Sequence, residues 1–412
     1  MALSNDFKVL TWIANKGLAY LLTNLAYTKC GTTEYMPEFD NNVYAKGDTI
    51  QVRRANRRVG GEGATIALDG VIEKTEPLTI EKQFNDGLVF TSKEEALFQT
   101  GSYGQQIYSE RYILPSILRL ISQVNSYMAE RASKDIYYST GAAGTPINST
   151  GYLATLNAKM MDYNIPTNSV EKYLIINPSD GAALKNSMVN YYNSTFNKGI
   201  GEKFFVKQVM DFLLEETSSV PVHTVGAAYA DLATLKVNAD VTSGNTIVIK
   251  GITPSTTGAF KKGDIISIAG SKVVVSPTYN TTAHDAQFVV QADVDATAGG
   301  LATITVSPEI IIDTTNPFRN LSAKLAADAV VTLVNTHNEG VAFTKGALSF
   351  AMPKMKQMWT PYSVSVTDNK FGTGITLRLS RGADIVNDQN ILRFDVLCGA
   401  RFWGEYSVKA IS

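Results

Sequence analysis

A chain of 412 residues is longer than one hydrophobic core usually serves, so two or three domains are expected. Its 37 basic and 38 acidic residues nearly cancel, which excludes a global field that draws the protein to nucleic acid or a membrane, or that repels copies of itself. Cys30 and Cys398 lie too far apart in sequence for a disulfide framework or a metal motif; they read as inert thiols of a reducing compartment.

Residues 1–24 lack a basic segment followed by a continuous apolar run, with Asp6 and Lys16 interrupting, and are read as mature protein. No run of about 18 apolar residues occurs, so no membrane span is expected. Residues 4–26 carry a weakly helical pattern, Val9, Leu10, Ile13, Leu18, Leu21, Leu22 and Leu25, with Ser4, Asn5 and Asp6 as caps. Residues 28–43 are polar and irregular, an extended arm with little to bury.

Alternation over residues 46–82 predicts a long hairpin with a tip at Gly60, Gly61 and Gly63. Arg53, Arg54, Arg57 and Arg58 bunch on one limb, while Glu73, Glu76 and Glu81 lie on the other. Two readings stay open: limbs that neutralise each other, or a charged flap that meets a neighbour. The tip lacks the Gly-Lys-Ser/Thr ending of a phosphate loop.

Residues 110–138 organise the chain. Ile117, Leu118, Ile121, Val124, Tyr127, Met128, Ala132 and Ile136 recur at intervals of three and four and predict one apolar stripe on a rod of nearly 40 Å. Arg119, Gln123, Ser126, Glu130 and Lys134 fall largely on the other side, and Pro115 is tolerable only in the first turn or as a kink near the start. Then come a loop at 140–150, a helix over 151–164, and a buried strand at 173–176. Asn177-Pro178-Ser179-Asp180 follows, capping a helix over 181–192, and 209–213 begins a further ordered segment.

From 237 to 312 helical periodicity disappears. Short runs at 246–250, 265–268, 272–275, 288–291 and 302–306 alternate with glycine-rich turns and predict a small all-β barrel or sandwich. Helical propensity resumes at 321–334, and late strands are expected at 364–366, 375–379, 392–398 and 406–408. An all-β block between two mixed stretches predicts an inserted domain.

Catalytic and metal signals are weak. His223, His284 and His337 stand apart without metal-ligand spacing and are expected at the surface or in loops. His284-Asp285 has no nucleophile context. Glu94-Glu95 and Glu215-Glu216 read as solvated faces, Asp285, Asp293 and Asp295 as turn carboxylates, and the tryptophans as packing residues. These signals do not exclude an enzyme, but the chain offers no catalytic constellation, and no cofactor is expected.

The segments 173–180, 260–270 (Phe-Lys-Lys-Gly-Asp-Ile-Ile-Ser-Ile-Ala-Gly), 285–290 and 302–308, in this order and spacing, resemble the major coat proteins of tailed bacteriophages, specifically the short-tailed enterobacterial kind that carries an inserted β-domain. The resemblance implies an α+β fold with an N-terminal arm (1–45), an extended loop (46–82) and a peripheral domain with a long spine helix (83–144). It further implies an axial domain in two parts (145–222, and 335–412 together with the peripheral remainder) and the inserted β-domain with its exit (223–334). As function it implies a shell of identical copies, pentamers and hexamers, around double-stranded DNA that is met by non-specific proximity. Further implied are a scaffolding protein and a portal as partners, assembly in the host bacterial cytoplasm, and inter-subunit contacts by Arg53, Arg54, Arg57, Arg58, Glu73 and Glu76. An extracellular surface-array or adhesion protein, and a hydrolase with an accessory β-domain, are the alternatives.

Overall fold

The computed structural model describes residues 14–21, 25–27, 30–31, 47–53, 56–59, 72–91, 93–94, 109–165, 170–188, 208–357, 363–367 and 375–412. The expected arm, the hairpin tip and the segment 199–206 lie outside them, apart from a few arm residues. Strands are numbered β1–β20 and the main helices α1–α3 along the chain. The chain forms two compact units, residues 1–52, 76–128 and 348–401, and residues 53–75, 129–347 and 402–412.

In the first unit, β1 (Thr49–Arg53) pairs with β2 (Thr75–Thr79), the base of the expected hairpin. The Thr49 and Thr79 hydroxyls meet at 2.8 Å. A five-stranded sheet runs β16 (Leu348–Ala351), β19 (Gln389–Phe402), β18 (Thr376–Asp384) and β17 (Ser363–Thr367), with β3 (Lys82–Thr91) also paired to β19. The turn after β18 is tied by Asp384, which accepts from the Val386 amide at 2.9 Å, and it presents Ile385 and Val386 at 94% and 91% exposure.

Helix α1 (Leu114–Asp135) is the expected rod, entered through a π-helical turn at Ser109–Ile113. Pro115 sits in its first turn, where a missing N–H costs nothing. Ile117, Ile121, Val124, Tyr127, Met128 and Ala132 are buried as the periodicity predicts. Leu118 is 46% exposed instead: a step of about 100° from Ile117 carries it off the stripe, and Leu120 takes its place. Helical structure ends at Asp135, short of the expected 138. Within this unit the stripe packs on β19, where the Tyr127 hydroxyl accepts from the Ala400 amide at 3.2 Å.

The second unit carries two sheets. One runs β4 (Ser139–Gly141), β20 (Ser407–Ile411), β15 (His337–Thr344), β5 (Lys172–Ile176), β7 (Phe212–Glu216) and β6 (Gln208–Val209), with β8 (Val222–His223) also paired to β15. Gly141 is obligatory at its edge, because at φ +111° an added Cβ would lie 2.2 Å from the Ile411 carbonyl oxygen. Helix α2 (Thr150–Asp162) is capped by Ser149, which accepts from the Tyr152 amide at 3.2 Å. Helix α3 (Pro178–Met188) starts earlier than 181: Asn177 is the cap, accepting from the Asp180 amide at 2.7 Å, and Pro178 opens the first turn.

The other sheet is the expected β-block, in the order β14 (Val331–Leu333), β11 (Ile265–Val275), β12 (Asn280–Val290), β13 (Leu301–Ile311), β10 (Ser243–Lys250) and β9 (Lys236–Val237). The runs 265–268 and 272–275 are one strand with irregular register between Ile268 and Lys272, where Gly270 takes φ +91°. Its core holds Ile247, Ile266, Phe288, Ile304, Leu325 and Val331. The helix expected over 321–334 does not form. Leu321 bridges to Val273, Leu325 to Val241 and Val330 to Lys236, so sheet pairing of these apolar residues overrides their helical propensity.

Candidate assembly site

Among the described residues no ion pair joins one limb of the hairpin to the other. Within the second unit Arg57 pairs with Glu405, and its guanidinium lies 5.4 Å from the centre of the Phe318 ring, which Lys74 also approaches at 5.6 Å. Within the first unit Glu76 pairs with Arg401 at 3.2 Å. Arg53, Arg58 and Glu73 are exposed, and Arg54 lies outside the described residues. The five described residues therefore separate into two half-buried ones, Arg57 and Glu76, held by their own chain, and three exposed ones. Glu405 and Arg401 were not legible as partners, since more than 300 positions separate each from its mate.

A second charged cluster stands where the chain enters and leaves the six-stranded sheet. β8 and the start of β15 run side by side, with His223 opposite His337 and ring centres 5.5 Å apart. Contrary to the surface expectation, His223 and His337 are 9% and 2% exposed; only His284 remains half-exposed. His223 Nε2 meets Asp264 Oδ1 at 2.7 Å, and Asp264 also accepts from the Gly226 and Lys261 amides. Lys409 Nζ donates to Glu339 Oε1 and to the Ser133 carbonyl, each at 2.7 Å. Gly263 lets the loop come this close: at φ +97° an added Cβ would lie 2.6 Å from Ser133 Oγ.

This neck is built of charges out of water, so partner geometry decides its stability. Burial alone would raise the Glu339 carboxyl, but Lys409 holds it below its ordinary range. His337 donates from Nδ1 to the Asn335 carbonyl at 2.6 Å, which leaves Nε2 unprotonated and without a partner, 3.8 Å from Glu339. Burial pushes the His337 imidazole down, and Lys409 and His223 push it further, against Asn335 and Glu339. A histidine depressed in the folded state binds its proton more readily when unfolded, so stability falls as pH drops through about 6.5. Urea midpoints at pH 7.5 and 5.5 are expected to show this loss in the native protein and a smaller one in His337→Gln.

Asp293 and Asp295 serve loop geometry, accepting from the Lys262 and Gly258 amides at 2.7 and 2.6 Å, and Asp285 pairs with Lys272 at 2.8 Å. Burial raises the Cys398 thiol well above its ordinary value. Among the described residues no group of three or more His, Cys, Asp or Glu is placed to hold a metal ion, and no helix is long and apolar enough to cross a membrane.

Residues 217–403 match the family model of the P22 coat protein, gene protein 5. The matched stretch takes in the whole six-stranded sheet. No curated protein matches the chain. Among solved structures it is similar to one from Mycobacterium phage Che8, at 9% identity over 92% of this chain and 89% of that one, TM-score 0.46. It is also similar to the capsid of the cyanophage P-SCSP1u, at 11% identity over 90% and 85%, TM-score 0.41. The CUS-3 coat protein I-domain covers 24% of this chain and 94% of its own length at 23% identity, TM-score 0.19.

Proposed function

We propose that this chain is the major capsid protein of a tailed bacteriophage, a structural rather than catalytic protein whose identical copies close an icosahedral shell around double-stranded DNA. The observation that carries the reading is the P22 coat-protein match over residues 217–403. The near-zero net charge supports it, since copies can pack densely without long-range repulsion. So do Ile385 and Val386, whose exposure is costly in a free subunit and useful where a contact covers them. The surface-array alternative leaned on the β-block alone, and that block falls inside the coat-protein match.

In this reading residues 1–45 are the arm, 46–82 the extended loop and 83–144 the peripheral domain with its spine. Residues 145–222 and 335–412 form the axial domain and the remainder, and 223–334 the inserted domain. Assembly takes place in the host bacterial cytoplasm with a scaffolding protein and a portal, and DNA is met without sequence preference. Arg53, Arg58 and Glu73 are the loop residues that reach a neighbouring copy, with Arg54 of the same limb; Arg57 and Glu76 hold the loop to its own subunit.

Purified protein examined by size-exclusion chromatography and negative-stain microscopy is expected to form shells or capsomers; monomers at every concentration would refute the reading. Arg53→Glu with Arg58→Glu should leave thermal stability within about 0.5 kcal/mol of native, as exposed substitutions do, and should block or distort the shells. Normal particles from this variant would remove both arginines from the contact. Arg57→Glu is a different experiment, because it sets a carboxylate against Glu405 and should destabilise the subunit itself.

A further inference from the structure

All three histidines of the chain lie where the six-stranded sheet meets the rest of the second unit. His223 of β8 meets Asp264, the residue just ahead of β11; His284 of β12 meets Asp162 of α2, with Nε2 3.0 Å from the carboxylate; and His337 opens β15 opposite His223. Solvent reaches both members of the His284 pair, so that pair contributes little in either charge state. The other two histidines are buried in the neck.

His337 is the weak point of the closed neck. Its side chain has no exposed surface, Nδ1 is spent on the Asn335 carbonyl, and Nε2 is an acceptor with nothing to accept from. Water satisfies that nitrogen as soon as the neck opens. The ladder that keeps the neck shut is short: two register pairs, His337 with His223 and Asn338 with Val222. Around it the Glu339 amide donates to the Pro221 carbonyl at 3.1 Å, the Val225 amide to Thr336 Oγ1 at 3.3 Å, and the Gly226 and Lys261 amides to Asp264.

A proton on Nε2 would join a crowded set of charges. Glu339 of the same strand lies 3.8 Å away but already accepts from Lys409 of β20, the His223 ring of β8 stands 5.5 Å off, and Asp264 is engaged by His223. Burial, with Lys409 and His223 behind it, resists the proton while the neck is closed. Lys409 holds the Glu339 carboxyl below its ordinary range, so Glu339 does not titrate between pH 7.5 and 5.5. Once open, the ring is an ordinary imidazole in water.

We propose that the neck is an acid-operated latch: on opening, His337 takes up a proton at Nε2, and the protonated ring is disfavoured in its buried place between His223 and Glu339. The six-stranded sheet keeps its own core throughout. It also stays attached, because Val273 and Val275 of β11 pack into the core of the seven-stranded sheet, and the ties from Lys262 to Glu130 at 2.8 Å and from Gln291 to the Lys134 carbonyl at 2.9 Å involve no histidine. The latch is independent of the capsid reading and is tested on the unassembled full chain.

The experiment is backbone hydrogen exchange at pH 7.5 and 5.5, corrected for intrinsic rates. Protection of the Gly226, Lys261 and Glu339 amides is expected to fall by about 10-fold, the factor by which an ordinary imidazole favours the open form over this range when the closed form takes no proton. Strands β13 and β5 should keep theirs. His337→Gln should abolish the step at the neck. An equal loss in the neck and in both strands would mean global unfolding and overturn the latch, as would no step in the native protein or a step that survives in His337→Gln. If His337→Gln does not fold, the native protein decides: the step must share its midpoint with the titration of the His337 Cε1 proton resonance, and separate midpoints overturn the proposal.

Discussion

Lys409→Met is expected to lower unfolding free energy by about 3–5 kcal/mol, the cost of stranding a buried charge. Lys409 is fully buried on β20, and Glu339, its partner at 2.7 Å, is 2% exposed on β15. With the ammonium gone, the Glu339 carboxylate must protonate or stay charged without a cation. The remedy is as informative as the lesion. Lys409→Met with Glu339→Leu removes both charges and should recover most of the loss, since buried pairs replaced by apolar residues are often neutral in stability. Urea midpoints followed by tryptophan fluorescence check both; a single variant within about 1 kcal/mol of native would show that the pair is solvated and the neck looser than described.

Asp395→Ala is expected to be of similar size, about 3–5 kcal/mol, in the first unit. Asp395 is fully buried on β19 and accepts from Arg378 at 2.8 Å and from Arg393 at 2.9 Å. Arg378 is itself 9% exposed, and among the described residues its other hydrogen bond goes to the Lys356 carbonyl at 2.7 Å. Removing the carboxylate leaves a buried guanidinium without a counter-charge, next to a second one. Asp395→Asn keeps an acceptor and the volume and should cost less. Equal losses for alanine and asparagine would assign the effect to charge, and a loss confined to alanine would assign it to hydrogen bonding.

Local patterns in the sequence were legible where packing is local. The stripe from Ile117 to Ala132 repeats at helical spacing because one face of α1 meets one sheet, and the alternating runs after Val237 reflect a sheet with its own core. β3, β15 and β16 were missed. β15 reads His-Asn-Glu-Gly-Val-Ala-Phe-Thr, and it is buried along nearly its whole length, so no alternation marks it. The stretch 321–334 misled because Ala, Lys and Leu favour a helix until neighbouring strands supply better partners.

Of the candidate site, composition showed the cluster of arginines but not which of them face outward, since that depends on Glu405 and Phe318 far along the chain. The neck was invisible for the same reason. His223 and Asp264 are 41 positions apart, and Glu339 and Lys409 are 70. One signal was available: a lysine in the centre of Ser-Val-Lys-Ala-Ile, a run otherwise fit for burial, called for a buried partner.

The pairing of His223 with His337 also fixes where the intervening segment joins the sheet. Register partners in adjacent strands stand about 5 Å apart, so the two ends of the intervening segment are nearly a single point on the surrounding sheet. A tight turn from His223 to His337 would therefore close the sheet without the segment and leave the pairings of β15 with β5 and β20 unchanged. Such a deletion would split the neck: Glu339 and Lys409 stay on the sheet, while Asp264 goes with the segment and His223 loses its partner.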